Sequence, residues 1–265
     1  MSEILIIAGM HRSGTSLTAN WLKENGLFIG HHLLSGEFDN INGHFEDIEI
    51  LKVHEENLIR AGYVSNGLSI PFNTDFFLDI IAIKKISEII NSRKNFHFWG
   101  WKEPRGTLFL NDWEKINPNI FCLGVYRNYN NVVDSLVRRY QHTLFYTKKI
   151  RFFRRLIKII LFPFMKHFLY NNFLKVWIIY NQKILEFNRS FPKKCILLNI
   201  NELKSKDEKL LHFLNKEISF FHKKVPFSSV FEEKQLNEKP LNIRFKKRLS
   251  VKAEEILTEL KINTF

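Results

Sequence analysis

Apolar residues recur along this chain in two rhythms. Near-continuous runs at residues 4–8, 96–101, 120–126 and 195–200 have the length and composition of strands buried on both faces. Between them, apolar residues return every three or four positions, and this spacing predicts helices at residues 17–25, 47–61, 76–92, 108–115, 207–215 and 246–260, with another starting near Asn131. Asp47 is placed to cap the second of these, and Gly26 to stop the first. Residues 30–43 read as loop. Strands alternating with helices predict an α/β fold of three layers, a central, mainly parallel sheet flanked by helices. Residues 1–265 read as a single domain, with no internal repeat and no low-complexity linker.

Charge narrows the partners without choosing one. Forty basic and 27 acidic residues give a formal net charge of +13, which favours anionic partners: nucleotides, acidic glycans, a membrane surface or nucleic acid. No nucleic-acid recognition motif accompanies the charge, so specific nucleic-acid binding is not expected. Cys122 and Cys195 both fall in strand-like runs and read as buried free thiols rather than a disulfide. Glu3 precedes the first apolar run, and that run ends in a glycine-bearing loop instead of a cleavage site. The expectation is a cytoplasmic chain, with a peripheral place at the inner face of the membrane left open.

The first strand runs into Gly9-Met10-His11-Arg12-Ser13-Gly14-Thr15-Ser16. This is the spacing of the phosphate-cradling loop G-x-x-x-x-G-K-[ST], with Thr15 where the lysine belongs, and it makes the expected fold P-loop-like. That lysine reaches the β- and γ-phosphates of a nucleoside triphosphate, so its replacement argues against ATP or GTP hydrolysis. The backbone N–H groups at the start of the following helix still point at an anion. A second anion site is expected at Arg127, which ends the third apolar run, and at Ser135, eight residues on in the next helix. Both follow the carboxyl end of a strand, the side on which open α/β sheets hold ligands.

Together, these residues resemble the sulfotransferase family that uses 3′-phosphoadenosine 5′-phosphosulfate (PAPS). Residues 9–16 look like its 5′-phosphosulfate loop. Residues 126–135, Tyr-Arg-Asn-Tyr-Asn-Asn-Val-Val-Asp-Ser, look like its 3′-phosphate motif, with Tyr129 where many members carry proline. Arg12 stands for the lysine of cytosolic members, as in the Golgi-type and bacterial branches. Gly43-His44-Phe45-Glu46-Asp47 and Trp101-Lys102-Glu103-Pro104-Arg105 are similar to segments of bacterial members, and a bacterial source is expected. The likeness thins after about Tyr140.

The resemblance implies that PAPS is the donor, that no metal is needed, and that the acceptor is a hydroxyl compound, a glycan or glycolipid. His11, Arg12, Ser13, Gly14, Thr15 and Ser16 would bind the 5′ end of the donor, and Arg127 and Ser135 its 3′-phosphate. Arg12 and Lys102 would stabilise charge in the reaction, and Glu46 is the leading candidate for the base, with His44 and His11 competing. His44, Glu46, Lys102 and Arg105 would meet the acceptor. Each has a plainer alternative: Glu46 and Asp47 open a helix, Lys102 pairs with Glu103, and Pro104 only fixes a turn. His31 and His32 lack the partners that ligand spacing requires, so no metal site is expected.

Two other readings stay open. One is a P-loop kinase-like phosphotransferase using Arg12 in place of the lysine. The other is a non-catalytic protein that binds membranes or polyanions. The second draws on residues 135–185, which contain no Asp or Glu but carry Arg138, Arg139, Lys148, Lys149, Arg151, Arg154, Arg155, Lys158, Lys166, Lys175 and Lys183 among aromatic and aliphatic residues. This basic, aromatic-rich segment, helical at about 141–185, reads as an interfacial membrane element, as a cover over an acidic acceptor site, or as an ordinary helix pair with a solvated basic face.

Overall fold

A computed structural model describes residues 2–35, 43–72, 74–146, 152–218, 223–231, 236 and 243–265, with the side chains of 146 and 152–156 left out. Among the described residues, four parallel strands form one sheet: β1 (Glu3–Ala8), β2 (Phe98–Trp101), β3 (Ile120–Tyr126) and β4 (Cys195–Asn199), in the order β2-β1-β3-β4. The helices are α1 (Thr15–Glu24), α2 (Ile48–Arg60), α3 (Ile80–Ser92), α4 (Leu110–Ile116), α5 (Tyr129–Tyr146), α6 (Phe152–Ser190), α7 (Leu203–Ile218) and α8 (Lys247–Ile262).

The strand alternation divides the core between the two faces of the sheet. Ile4, Ile6, Trp99, Trp101, Ile120, Cys122, Cys195 and Leu197 point to the face covered by α2, α6 and α8. Leu5, Ile7, Phe98, Phe121, Leu123, Val125 and Leu198 point to the face covered by α1 and α7. Both faces are buried, which is why the strands read as continuous apolar runs. Cys122 and Cys195 are register partners on β3 and β4, buried and free, and the neighbouring Cys195 together with burial raises the Cys122 thiol well above its ordinary value.

Chain direction places the functional loops. From β1 the chain crosses to β2 on one side, then returns past β1 to β3 on the other. The switch point therefore lies beside β1, and the loop that follows β1 opens into it.

Capping explains where α3 begins. α3 starts at Ile80 rather than near residue 76 because Asp79 accepts the Ala82 N–H at 2.8 Å. Asp47 does cap α2, accepting the Glu49 N–H at 2.9 Å. The residues expected as a helix at 108–115 begin instead as a 3-10 turn, Pro104–Phe109, before α4. The expected helix near Asn131 starts at Tyr129, whose hydroxyl donates to the Glu254 carboxylate of α8. Burial, then Glu254, pushes the Tyr129 phenol up to about 12.

The largest departure is α6. The expected basic segment takes in the end of α5 and most of α6, two helices that pack together, and α6 is a single 39-residue helix, roughly 58 Å long, with Pro163 inside it. Its carboxyl-terminal half is core: Leu174, Trp177, Ile178, Tyr180 and Ile184 are fully buried. Lys148, Lys149 and Arg151, and the side chains of Arg154 and Arg155, lie outside the described residues. No helix among the described residues is long and apolar enough to cross a membrane.

Gly124 of β3 lies directly under α6. A Cβ there would sit 2.7 Å from Ile184 Cγ2 and 2.9 Å from Leu197 Cδ2. Gly124→Val is expected to destabilise the protein by about 1–3 kcal/mol through overpacking. Urea denaturation followed by tryptophan fluorescence measures the loss.

Candidate functional site

The loop between β1 and α1 is built for close approach of backbone. Gly9 donates its N–H to Thr107 Oγ1 at 2.9 Å, and a Cβ at Gly9 would lie 2.4 Å from the Val125 carbonyl oxygen. Arg12 and Gly14 both have left-handed backbones, at φ 70° and 92°. Such alternation turns successive N–H groups to one side, as in anion-binding nests. Gly14 is the N-cap of α1 and offers no side-chain cap, and a Cβ there would strike Ile200 at 2.3 Å. The first-turn N–H groups of α1 therefore have no intrahelical acceptor. Beside them the Ser13 hydroxyl is fully buried and has no hydrogen-bond partner among the described residues. Thr15 is buried, and Ser16 Oγ donates to the His44 carbonyl at 3.2 Å, tying residues 43–47 to the loop.

The two expected anion motifs meet. Arg12 Nε donates to Ser135 Oγ at 2.8 Å, joining the loop after β1 to the second turn of α5. Arg127, at the end of β3, is 5% exposed, and its carbonyl accepts the Trp177 indole N–H at 3.1 Å. Arg12, Arg127 and Ser135 thus stand at one edge of the sheet.

A second group forms where β2 ends. Leu34 N–H donates to the Glu46 carbonyl at 2.8 Å, and Leu33 bridges Asp47, so the segment before α2 is held against residues 33–34. Glu46 then reaches Lys102, Oε1 to Nζ, at 2.8 Å, and both side chains are almost wholly buried. The alternative pairing of Lys102 with Glu103 is not what the structure contains. Burial lowers the Lys102 ammonium from its ordinary value, against the pull of Glu46.

Glu103 instead anchors a network that the sequence did not reveal. It accepts the N–H groups of Arg105 and Gly106 at 3.1 Å each, His54 Nδ1 at 2.8 Å, and the Arg105 guanidinium at 2.5 Å. Trp113 Nε1 donates to His54 Nε2 at 3.0 Å, which leaves the imidazole proton on Nδ1 for Glu103. Arg105 also holds the Ser65 carbonyl at 2.6 Å and Glu55 at 2.9 Å. The guanidinium expected to meet an acceptor is therefore already engaged by three groups. His54 carried no motif; its only signal was its place on the apolar face of α2, beside Ile50, Val53 and Leu58.

His11 faces this cluster from the loop. Its Nε2 is buried with no partner among the described residues, and its ring centroid lies 6.4 Å from that of Tyr180. Burial, then the positive charge of Arg105, lowers the His11 imidazole well below its ordinary value. The Tyr180 hydroxyl donates to the Gly67 carbonyl at 3.2 Å, and burial and Glu103 raise its phenol well above the usual range. His44 is buried beside Glu46, whereas His31 and His32 are exposed. Among the described residues no group of His, Cys, Asp and Glu is arranged to hold a metal ion.

No protein-family model and no curated protein sequence matches the chain. Its fold matches solved structures. The sulfotransferase domain from the curacin biosynthetic pathway aligns over 98% of this chain and 98% of its own, at 14% identity and a TM-score of 0.55. The sulfotransferase domain of the Synechococcus PCC 7002 olefin synthase aligns over 97% and 96%, at 11% identity and 0.52. A sulfotransferase from Mycobacterium tuberculosis H37Rv aligns over 97% and 77%, at 9% identity and 0.50. The α/β fold of bacterial sulfotransferase domains is thus the fold of this chain.

Glu103 is the shared acceptor on which this buried network depends. Glu103→Ala would leave Arg105 and His54 buried without their shared acceptor, at an expected cost of about 3–5 kcal/mol. The folded state holds the Glu103 carboxyl below its ordinary value, chiefly through Arg105 acting against burial. The stability it contributes is therefore present above the ordinary glutamate range, near pH 4.3, and is lost as pH falls below it. Urea unfolding from pH 7 to pH 3 should show a shallower acid loss in the variant than in the wild type.

Proposed function

We propose that this chain is a sulfotransferase that moves a sulfuryl group from PAPS to a hydroxyl of a carbohydrate or glycolipid acceptor. The hydrogen bond between Arg12 and Ser135 carries the reading, because it joins two motifs 123 residues apart that the donor would have to occupy together. The residues fit such a donor. An uncapped α1 N-terminus, a left-handed loop too close-packed for side chains at Gly9 and Gly14, and the unpartnered Ser13 hydroxyl suit a bound phosphate. Thr15, in the place of the P-loop lysine, suits a donor without a γ-phosphate.

The donor supplies an activated sulfuryl group whose bond to the 5′-phosphate oxygen breaks as the bond to the acceptor oxygen forms. Charge then grows on the leaving phosphate and on the sulfonate oxygens. His11, Arg12, Ser13, Gly14, Thr15 and Ser16 bind the 5′ end, with Arg12 opposing the charge on the leaving group. Arg127 and Ser135 hold the 3′-phosphate, the feature that separates this donor from ATP. Arg127 suits that role as a planar fork of donors. Lys102 opposes charge on the sulfonate and orients Glu46, which takes the acceptor proton. His44 helps to place the acceptor, and Arg105, through Glu103, keeps the turn after β2 in shape. The choice of carbohydrate rests on the family resemblance of the motifs.

Incubation with ³⁵S-labelled PAPS and a panel of hydroxyl acceptors is expected to label a glycan or glycolipid without added metal. No transfer to any hydroxyl would contradict the reading. With an acceptor in hand, Glu46→Gln should lower kcat by about 100-fold or more while the KM for donor changes by less than about threefold. Unchanged turnover would remove Glu46 as the base.

A further inference from the structure

The amino-terminal half of α6 presents a face that nothing in the described structure covers. Ile157, Ile160, Leu161, Phe164 and Phe168 are all exposed, Phe164 at 82% and Phe168 at 67%. Their spacing of three and four residues puts them on one stripe about 16 Å long. The opposite side of the same turns, Phe162 and Leu169, is buried in the core. Large apolar side chains at this exposure cost solubility and mark a surface that something else covers.

The charge around the stripe selects the occupant. Lys158 is exposed about 100° round the helix from the centre of the stripe and pairs with no carboxylate among the described residues, whereas Lys166 lies on the side of Phe162 and Leu169, its Nζ over the Tyr170 ring at 5.6 Å. Residues 135–185 contain no Asp or Glu at all. A second copy of this chain would bring cations against cations. An apolar stripe bordered by Lys158, on an acid-free helix too polar to span a bilayer, matches an anionic lipid surface, where the rings enter the acyl boundary and the Lys158 ammonium remains among the headgroups.

We propose that this face of α6 docks the protein on anionic lipid bilayers. The inference stands on the exposed stripe and its charge and does not depend on the sulfuryl-transfer reading. Binding is reversible and requires both the aromatic stripe and the basic charge beside it, since neither alone anchors a protein stably.

Flotation of the full chain with phosphatidylglycerol/phosphatidylcholine vesicles, against phosphatidylcholine alone, tests this. The wild type is expected to float with the anionic vesicles at about 0.05 M salt and to lose most of that binding at about 0.5 M. Phe164→Ser with Phe168→Ser, both at exposed positions, should keep the wild-type Tm yet weaken partitioning roughly tenfold or more. Lys158→Gln should weaken it several-fold at low salt only, and Lys166→Gln, on the far side of the helix, should weaken it less. Absence of wild-type binding to anionic vesicles would overturn the proposal. So would serine variants that bind as well as the wild type, or a dimer in velocity sedimentation that those variants dissolve.

Discussion

Cation crowding at the carboxyl edge of the sheet is the constraint from which the site follows. The three strands β1, β2 and β3 lead into Arg12, Lys102 and Arg127, with Arg105 close behind. Parallel strands put these ends on one side, so the charges cannot spread apart without unmaking the sheet. Two buried carboxylates answer on the β2 side, Glu46 for Lys102 and Glu103 for Arg105. On the β1 and β3 side an open helix N-terminus and left-handed loop backbone add further positive potential. Such an arrangement suits an anionic ligand.

The same constraint explains why the polar groups near the edge are so thoroughly ordered. Glu103 accepts from two backbone N–H groups, an imidazole and a guanidinium, and through them fixes the turn that carries Lys102. Residues 43–47 are held twice, by the Ser16 hydroxyl and by the backbone of residues 33–34, so Glu46 meets Lys102 without a long search. The aromatic packing of Trp101, Trp113 and Phe109 around His54 closes this side to water. The apolar stripe on α6 belongs to a different part of the chain.

Much of this was legible in the sequence because it is local. Strands buried on both faces announce themselves as unbroken apolar runs, and β3 begins and ends where its run does. The loop at 9–16 shows its glycine spacing directly. What the sequence hid is long-range. His54 lies 49 residues from Glu103, and Glu46 lies 56 from Lys102, so no spacing rule connects them. Glu103 looked like a partner for its neighbour Lys102, but adjacent residues of extended chain point to opposite sides, and only the fold reveals which carboxylate faces which cation. The continuity of α6 was hidden by Pro163, which reads as a breaker and instead sits within a helix whose far half is clamped by the core.

The most direct test of the central claim is calorimetric titration with adenosine 3′,5′-bisphosphate, the desulfated donor, against the wild type, Arg127→Ala and Ser135→Ala, with ATP and Mg²⁺ as comparison. The account predicts tight, metal-independent binding to the wild type, a large loss in Arg127→Ala, a smaller one in Ser135→Ala, and little affinity for ATP. Preference for ATP with Mg²⁺, or bisphosphate binding indifferent to Arg127, would contradict it.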